Sequence, residues 1–482
     1  MRILHAGWGF RPWRGGGLIS YAEDVMEAQA AAGHDVAYFF GGRHYPLVRG
    51  PRLRRWRRRG VRMIEMLGSP IPVGLDRGTR FPELDLEEPE VEALFEAAVD
   101  EHRPDVLHVQ ELLGLPSSIV DRARGRGVPV VMTLQDYFPL CPTLKLYDSH
   151  GRVCMRRDPA AECVHCCGHA PLGTRHIRDM TIAFELQRAG RVLPWARDPA
   201  KRTLTTVLPR MPSGLPVDER AERVEEPPAT EADYRRRREV NLDRLARIDA
   251  LVGASTRTTE IYATLGVPRA RLRTLQLTAG HVAALTPRVI DSPPRPVRFA
   301  TLAGAASEEK GCLLLLDAAR RLEAIVPGAA YTIDVHGVVN DRVRSALERV
   351  PAVRIRRRYG PGELDSILEE ADVGLVPSLW EEVLANAGLE FIAKGVPVVA
   401  NALGGMPDYT IPGLTGWLNR SCGAEELAGI MAAIAADPGQ VVELNASIRA
   451  RRDDFVTPLD RHIEQLGAIY EEVIAAGSGG RS

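Results

Sequence analysis

The stretch "SLWEEVLANAGLEFIAKGVPVVA", residues 378–400, decides how the chain is read. Val396 to Ala400 is short, apolar and rich in β-branched residues, and Gly395 punctuates its start, so it reads as an inner strand of a parallel sheet. Ala385 to Ala393 then reads as the helix that crosses over to it. On this reading Glu382 lies in the loop entering the helix and Glu390 lies inside it, roughly 12 Å further along at about 1.5 Å of rise per residue. Two carboxylates so far apart cannot grip one atom. They suit the two ends of one elongated, polyhydroxylated ligand, with the unpaired N–H groups of the helix start facing an anion lodged between them. A sugar nucleotide has that layout, with hexose, diphosphate and ribose in line. Standing alone, the pair is more simply a solvated acid followed by an acid that the helix dipole favours.

Outward from this stretch, "VRFATLAG", "YTIDVHG", "VRIRRRYG", "DVGLVPS" and "VPVVA" are strand candidates separated by helical segments. That alternation is the pattern of a doubly wound α/β domain. The chain opens the same way. Arg2 to Ala6 reads as a strand, followed by the loop "GWGFRPWRGGG" and a helix from Leu18 to Ala32 with Ile19, Ala22, Met26 and Ala30 at helical spacing. Gly33 suits the helix C-terminal cap, and Asp35 to Phe40 is the next strand. "PDVLHV" and "VPVVMTL" flank a helical stretch from Ser117 to Arg124, and Val240, Leu242, Leu245 and Ile248 mark a helix leading into a further strand.

Prolines between Pro287 and Pro296 suit an interdomain link. The expected organisation is α/β throughout, with two doubly wound Rossmann-like domains facing across a cleft. Residues 1–288 form the first domain, with a cysteine-rich loop at about 137–170 and a weakly periodic insertion at about 170–232. Residues 289–456 form the second, and 457–482 a terminal helix and tail. Leu459, Ile463, Leu466, Tyr470 and Ile474 make one apolar face of that helix, which must dock on another element.

In 482 residues, 62 Lys and Arg nearly cancel 63 Asp and Glu, so no global charge directs the protein to nucleic acid. A local basic run, "PRLRRWRRRGVR" from Pro51 to Arg62, reads as a solvated or helix-surface segment, with peripheral contact to an anionic membrane or a phosphorylated acceptor as the other reading. "MRILHAGWGF" has no apolar core or cleavage site of a signal peptide, and no apolar run approaches the roughly 20 residues that span a bilayer. A cytoplasmic location is therefore expected.

Taken in order, "GAASEEKG", "YGPGEL", "ADVGLVPSLWEE", the pair Glu382 and Glu390, "GVPVVANALGGMPDY" and "PGLTGWL" resemble the retaining GT-B glycosyltransferases of family 4. The resemblance covers most of the chain and is strongest in its second half. It implies that Glu390 holds donor ribose hydroxyls, that Glu382 holds hydroxyls of the donor sugar and that Lys310 neutralises the diphosphate. Backbone amides around Leu384, Ala385 and Asn386 would add to that, and the main chain near Tyr359 would face the base. Gly15, Gly16 and Gly17 match the family's glycine loop, although a glycine triplet equally marks a simple turn. His108 resembles a family histidine position and reads equally as a structural histidine, while Asp136 reads as a loop-holding residue. Two positions depart from the family: Ala305 stands where a polar or basic residue commonly accompanies the lysine, and Gln135 stands where a histidine usually faces the donor sugar. The amide of Gln135 can hydrogen bond but takes no proton near neutral pH.

Five of the seven cysteines lie between Cys141 and Cys167. In a reducing compartment such a cluster favours metal ligation over disulfides. Cys141, Cys154, Cys163 and Cys166, the last two a CxxC pair, are the expected ligands of a structural zinc, with Cys167, His165 and His169 as substitutes. A subgroup of the family resembles this loop. No catalytic metal is expected.

The resemblance implies a retaining transferase that moves a sugar from a nucleotide-diphosphate sugar, its co-substrate, to an acceptor hydroxyl of a glycan, lipid-linked or small-molecule acceptor. The assembly it serves would be of polysaccharide, glycolipid or natural-product glycoside. Two other readings stay open: a GT-B nucleotide-sugar epimerase, and a noncatalytic nucleotide-sugar-binding partner of another transferase, the latter prompted by Ala305 and Gln135.

Overall fold

Short apolar runs in both halves of the chain become inner strands, and the basic run near Arg55 becomes an edge. In the computed structural model, residues 1–45, 50–73, 77–192, 229–326 and 330–479 are described. The first sheet is built from β1 (Arg2–Gly7), β2 (Asp35–Gly41), β3 (Arg52–Arg58), β4 (Val61–Leu67), β5 (Val106–Val109), β6 (Val130–Leu134), β7 (Ala250–Gly253) and β8 (Leu272–Thr274). Its order is β3-β4-β2-β1-β5-β6-β7-β8, parallel except where β3 pairs antiparallel with β4. The second sheet contains β9 (Val297–Thr301), β10 (Tyr331–Val335), β11 (Val353–Ile355), β12 (Val373–Val376), β13 (Val398–Asn401) and β14 (Gly416–Asn419). It is wholly parallel, in the order β11-β10-β9-β12-β13-β14.

In both sheets the order reverses beside an inner strand, at β1 between β2 and β5 and at β9 between β10 and β12. Connections leave such a point toward opposite faces, which opens a crevice outside the carboxyl ends of the strands. Around β9 and β12 the packing is tight. A Cβ on Gly374 of β12 would lie 2.4 Å from the Phe391 ring, and one on Gly388 would lie 2.2 Å from the Tyr409 ring. The helix Asn386–Ala393, which carries Glu390, is therefore seated against its strand and its neighbour with no room for a methyl group.

The basic run is not a helix surface. It forms β3, the exposed edge of the first sheet, joined to β4 by Arg59 and Gly60, both at positive φ as a two-residue hairpin turn requires. Arg55 pairs with Glu101, Arg58 with Glu23, Arg59 with Glu27 and Arg62 with Asp35. A strand edge studded with paired arginines resists further strand addition. Of the insertion expected at about 170–232, residues 193–228 lie outside the described residues; Arg175–Val192 and Glu231–Arg247 are helical. Among the described residues no single helix is long and apolar enough to cross a membrane.

The terminal helix Leu459–Gly479 returns to the first sheet's side of the molecule and packs on the helix Gly17–Ala31. Leu466, Tyr470 and Val473 are buried there. The Gln29 Nε2 group donates to the Tyr470 hydroxyl at 3.1 Å, and that hydroxyl lies 2.6 Å from His108 Nδ1. Tyr21 meets His462 Nε2 at 2.8 Å. Tyr470→Phe deletes the hydroxyl on which two buried side chains converge and is expected to lower stability by about 1–3 kcal/mol, measured by urea unfolding.

Candidate active site

A cavity of about 570 Å³ lies between the two sheets, walled on one side by Gly16, Gly17, Tyr21, Gln135, Asp136 and Thr278 and on the other by Leu302, Lys310, Tyr359, Trp380, Glu382, Leu384, Asn386 and Glu390. Leu302 follows β9 and Trp380 follows β12, so the second wall stands at that sheet's reversal point. Lys310 is the only lysine or arginine among the lining residues. Its Nζ meets Glu382 Oε1 at 2.5 Å, and Ser378 donates its hydroxyl to Glu382 Oε2 at 2.6 Å. The ammonium also lies 5.5 Å from the Trp380 ring centroid, within cation–π range. Glu390 lies further along the same wall, its Oε1 2.8 Å from His281 Nε2. The helix that carries Glu390 begins between the two carboxylates without any side-chain cap, so N–H groups of its first turn have no side-chain partner at the cavity edge.

The loop carrying Glu382 is clamped by the two glycines of "GGMP". The Gly405 N–H donates to the Glu382 carbonyl at 2.7 Å and the Gly404 N–H donates to Glu381 Oε2 at 2.8 Å. A Cβ on Gly404 would fall 2.1 Å from the Glu382 carbonyl oxygen, so glycine is required there. The buried Glu381 also pairs with Arg257 from the first sheet's side, and the Thr256 N–H donates to Asp408 at 2.7 Å. These contacts hold the two halves around the cavity. Gly17 approaches Asn386 so closely that a Cβ would lie 2.7 Å from its amide nitrogen.

Several sequence expectations need correction. His108 is fully buried inside β5, bonded to Thr133 and Tyr470, and does not line the cavity; burial holds its pKa well below the usual value, so it is a neutral core histidine. Ala385 is buried at the helix cap, and Gly15 is exposed; neither lines the cavity, unlike their neighbours Leu384, Asn386, Gly16 and Gly17. Ala305 is fully buried, its carbonyl accepting the Asn340 N–H at 2.7 Å, so that position turns inward and does not line the cavity. Gln135 does line the cavity. Its Nε2 donates to Gln110 Oε1 at 3.0 Å, and its own Oε1 is buried without a partner. Asp136 holds the Phe138 N–H at 2.8 Å as expected and also reaches the cavity, while His281 was not singled out by sequence. Nothing in "LTAGHVAAL" marks that histidine; only the tertiary approach to Glu390 does.

Cys141, Cys154, Cys163 and Cys166 line one small cavity of about 20 Å³, and among the described residues no three His, Cys, Asp or Glu side chains are arranged to hold a metal ion. Three of these thiols have other polar neighbours. Cys141 lies 3.2 Å from Thr143 Oγ1, Arg156 donates to Cys154 Sγ at 3.2 Å, and Cys166 donates to Glu162 at 3.7 Å. The loop nevertheless joins the site. Leu146 faces the cysteine cavity, Leu144 faces the main cavity, and Lys145 between them pairs with Glu309, the residue before Lys310.

The sequence profile described as "Glycosyl transferase 4-like domain" matches residues 16–278, more than half of the chain, and that described as "Glycosyl transferases group 1" matches residues 297–437. The chain belongs to this glycosyltransferase family. A curated relative, the amylovoran biosynthesis glycosyltransferase AmsK of Erwinia amylovora, is 28% identical over 193 residues, 38% of this chain and 46% of AmsK. The match thus spans under half of that relative's length. Sucrose-phosphate synthase of Thermosynechococcus elongatus superposes with a TM-score of 0.59 over 98% of this chain and 99% of that one, at 17% identity. Anabaena HepE, solved in complex with UDP and glucose, superposes with a TM-score of 0.55 over 97% of this chain and 98% of its own, at 12% identity. These likenesses establish the GT-B fold for this glycosyltransferase-family chain.

On the first sheet's side of the cavity, Glu111 follows β5 and is fully enclosed, and burial beside Asp136 pushes its pKa up to about 8. A carboxyl whose pKa is raised on folding stabilises the native state fully below its unfolded value, near the ordinary 4.5, and loses that contribution as pH rises through about 8. Glu111→Gln is expected to flatten the decline in stability between pH 5 and pH 9. Urea midpoints at the two pH values check this, and equal declines in both proteins would remove Glu111 as the cause.

Proposed function

We propose that the protein is a retaining glycosyltransferase that moves a sugar from a nucleotide-diphosphate sugar to an acceptor hydroxyl. The observation that carries this reading is the single cavity wall on which Glu382, Lys310, the uncapped helix start at Asn386 and Glu390 follow one another. Acid, cation with N–H donors, and acid match hexose, diphosphate and ribose in order. In this reading Glu390 takes the ribose hydroxyls, Glu382 the sugar hydroxyls, and the main chain near Tyr359 the base.

As the glycosidic bond breaks, negative charge grows on the departing diphosphate. Lys310 and the helix-start N–H groups are positioned where that charge develops, and donors fixed in advance stabilise the transition state more than the ground state. The Lys310–Glu382 ion pair keeps the cation and the carboxylate in place before a ligand arrives. A diphosphate drawing on Lys310 then leaves Glu382 free to accept from sugar hydroxyls. Retention follows if the acceptor hydroxyl approaches from the diphosphate's side and passes its proton to the departing phosphate oxygen, a course that requires no carboxylate nucleophile. Gln135, from the opposite wall, contributes its unpartnered Oε1 as a hydrogen-bond acceptor to the sugar.

Thermal denaturation with UDP, GDP, ADP and TDP and their hexose conjugates is expected to single out one nucleotide as a stabiliser. Glu390→Ala should weaken that nucleotide by on the order of 2 kcal/mol in calorimetry, the loss of a charged hydrogen bond. Release of the nucleoside diphosphate from the donor should occur with the wild type and fall sharply with Glu382→Ala. Binding without any release would favour the noncatalytic partner reading, and no nucleotide binding by folded protein would overturn the donor site.

A further inference from the structure

Two residues before Gly16, which lines the cavity, the chain holds a buried cation that the donor reading does not use. Arg14 precedes the glycine loop and is only 6% exposed. Its guanidinium lies between two indoles, 4.5 Å from the Trp8 ring centroid and 4.3 Å from that of Trp13. Its Nε and Nη1 atoms are buried without hydrogen-bond partners, as are Nε1 of Trp8 and Nε1 of Trp13. Unpaired buried donors are rare in native proteins, and a buried charge without a counter-charge rarer still. Here four donor nitrogens on three adjacent side chains are all unfilled.

The surroundings do not neutralise this cation. Its ionisable neighbours are Tyr38, Glu111, His44 and His176. Burial raises the Tyr38 phenol well above its usual value, holds His44 down to about 3 and lowers His176. Glu111, pushed up to about 8, is largely protonated at neutral pH. The cluster is therefore a positive centre walled by neutral groups.

Its position is that of a ligand site. Trp8 follows β1 and Glu111 follows β5, the backbone N–H of Trp8 donating to Glu111 Oε1 at 3.3 Å. These two strands flank the reversal point of the first sheet, where ligands of doubly wound sheets bind. The chain opens to solvent directly after Arg14: Gly15 and Gly16 are exposed, a Cβ on either would meet nothing within 4 Å, and Gly16 lines the main cavity.

The geometry points to an anion subsite, centred on Arg14 and the indole N–H groups of Trp8 and Trp13, that selects acceptors carrying a negatively charged oxygen group, a carboxylate or a phosphate ester. This deepens the transferase reading above and rests on it for the word acceptor. The planar fork of Arg14 suits either oxyanion, since both offer paired oxygens to adjacent N–H groups. The indoles supply the remaining donors and hold the fork in plane.

The test uses the full chain with UDP present and titrates a hexose 6-phosphate, a hexuronate and the matching neutral hexose by calorimetry. One or both anionic sugars are expected to bind at least tenfold tighter than the neutral one, and comparing the two distinguishes phosphate from carboxylate. Arg14→Gln should erase that preference while UDP affinity stays unchanged. Arg14→Lys keeps the charge without the fork and should reduce the preference; it also stands in for the first variant if Arg14→Gln fails to fold. Equal binding of charged and neutral sugars by the wild type overturns the subsite, as does an anion preference untouched in the folded variants. Failure of wild-type protein to bind UDP, GDP, ADP or TDP while it still prefers the anionic sugar would instead overturn the donor site and leave this one standing.

Discussion

Parallel strand pairing is the constraint from which the rest follows. Each parallel strand must be re-entered from the far end, so every connection that carries chemistry leaves from the carboxyl edge of its sheet. With two such sheets in one chain, each reversing order beside an inner strand, two reversal points arise. The cavity lies where the carboxyl edges face each other. Neither sheet alone encloses it. The terminal helix, anchored by Tyr470 and His462 on the first sheet's side, and the Arg257–Glu381 pair keep the two edges opposed.

Charge is distributed unequally between the walls. The second sheet's wall pairs its one cation with an acid and adds a second acid bonded to a histidine, so ligand-free charges are held by each other. On the first sheet's side, Arg14, just ahead of the lining Gly16, lies among neutral groups and two tryptophans. Charges that are mutually satisfied can exchange partners when a ligand arrives, whereas unfilled donors have capacity waiting. The cysteine-rich loop connects the two, because Leu144 faces the main cavity while Lys145 reaches the residue beside Lys310.

The parts of this arrangement legible in the sequence are those set by local pattern. Short β-branched runs bounded by glycine marked most of the inner strands, and the spacing of Glu382 and Glu390 across a loop and helix placed both on the cavity. The antiparallel β3–β4 hairpin escaped because "RLRRWRR" has too few apolar positions to show strand alternation, and its edge position tolerates that. His108 misled for the opposite reason: a polar residue in an apolar strand is a ligand contact or a satisfied core group, and only the hydroxyls of Thr133 and Tyr470, distant in sequence, decide which. The cysteine spacing suggested a zinc site, and the fold gathers those four cysteines around one small cavity, but spacing could not show the contacts three of them make with Thr143, Arg156 and Glu162.

By itself, then, the sequence determined the α/β class, the alternation that makes both sheets, and the residue types along the cavity wall that carries Glu382 and Glu390, because those depend on periodicity and on neighbours a few positions apart. Tertiary structure alone decided which polar groups are paired and which are left open. Glu390 meets His281, Lys310 meets Glu382, and Arg14 meets no acid, because pairing depends on contacts between segments up to a hundred or more residues apart and on how deeply each group is buried.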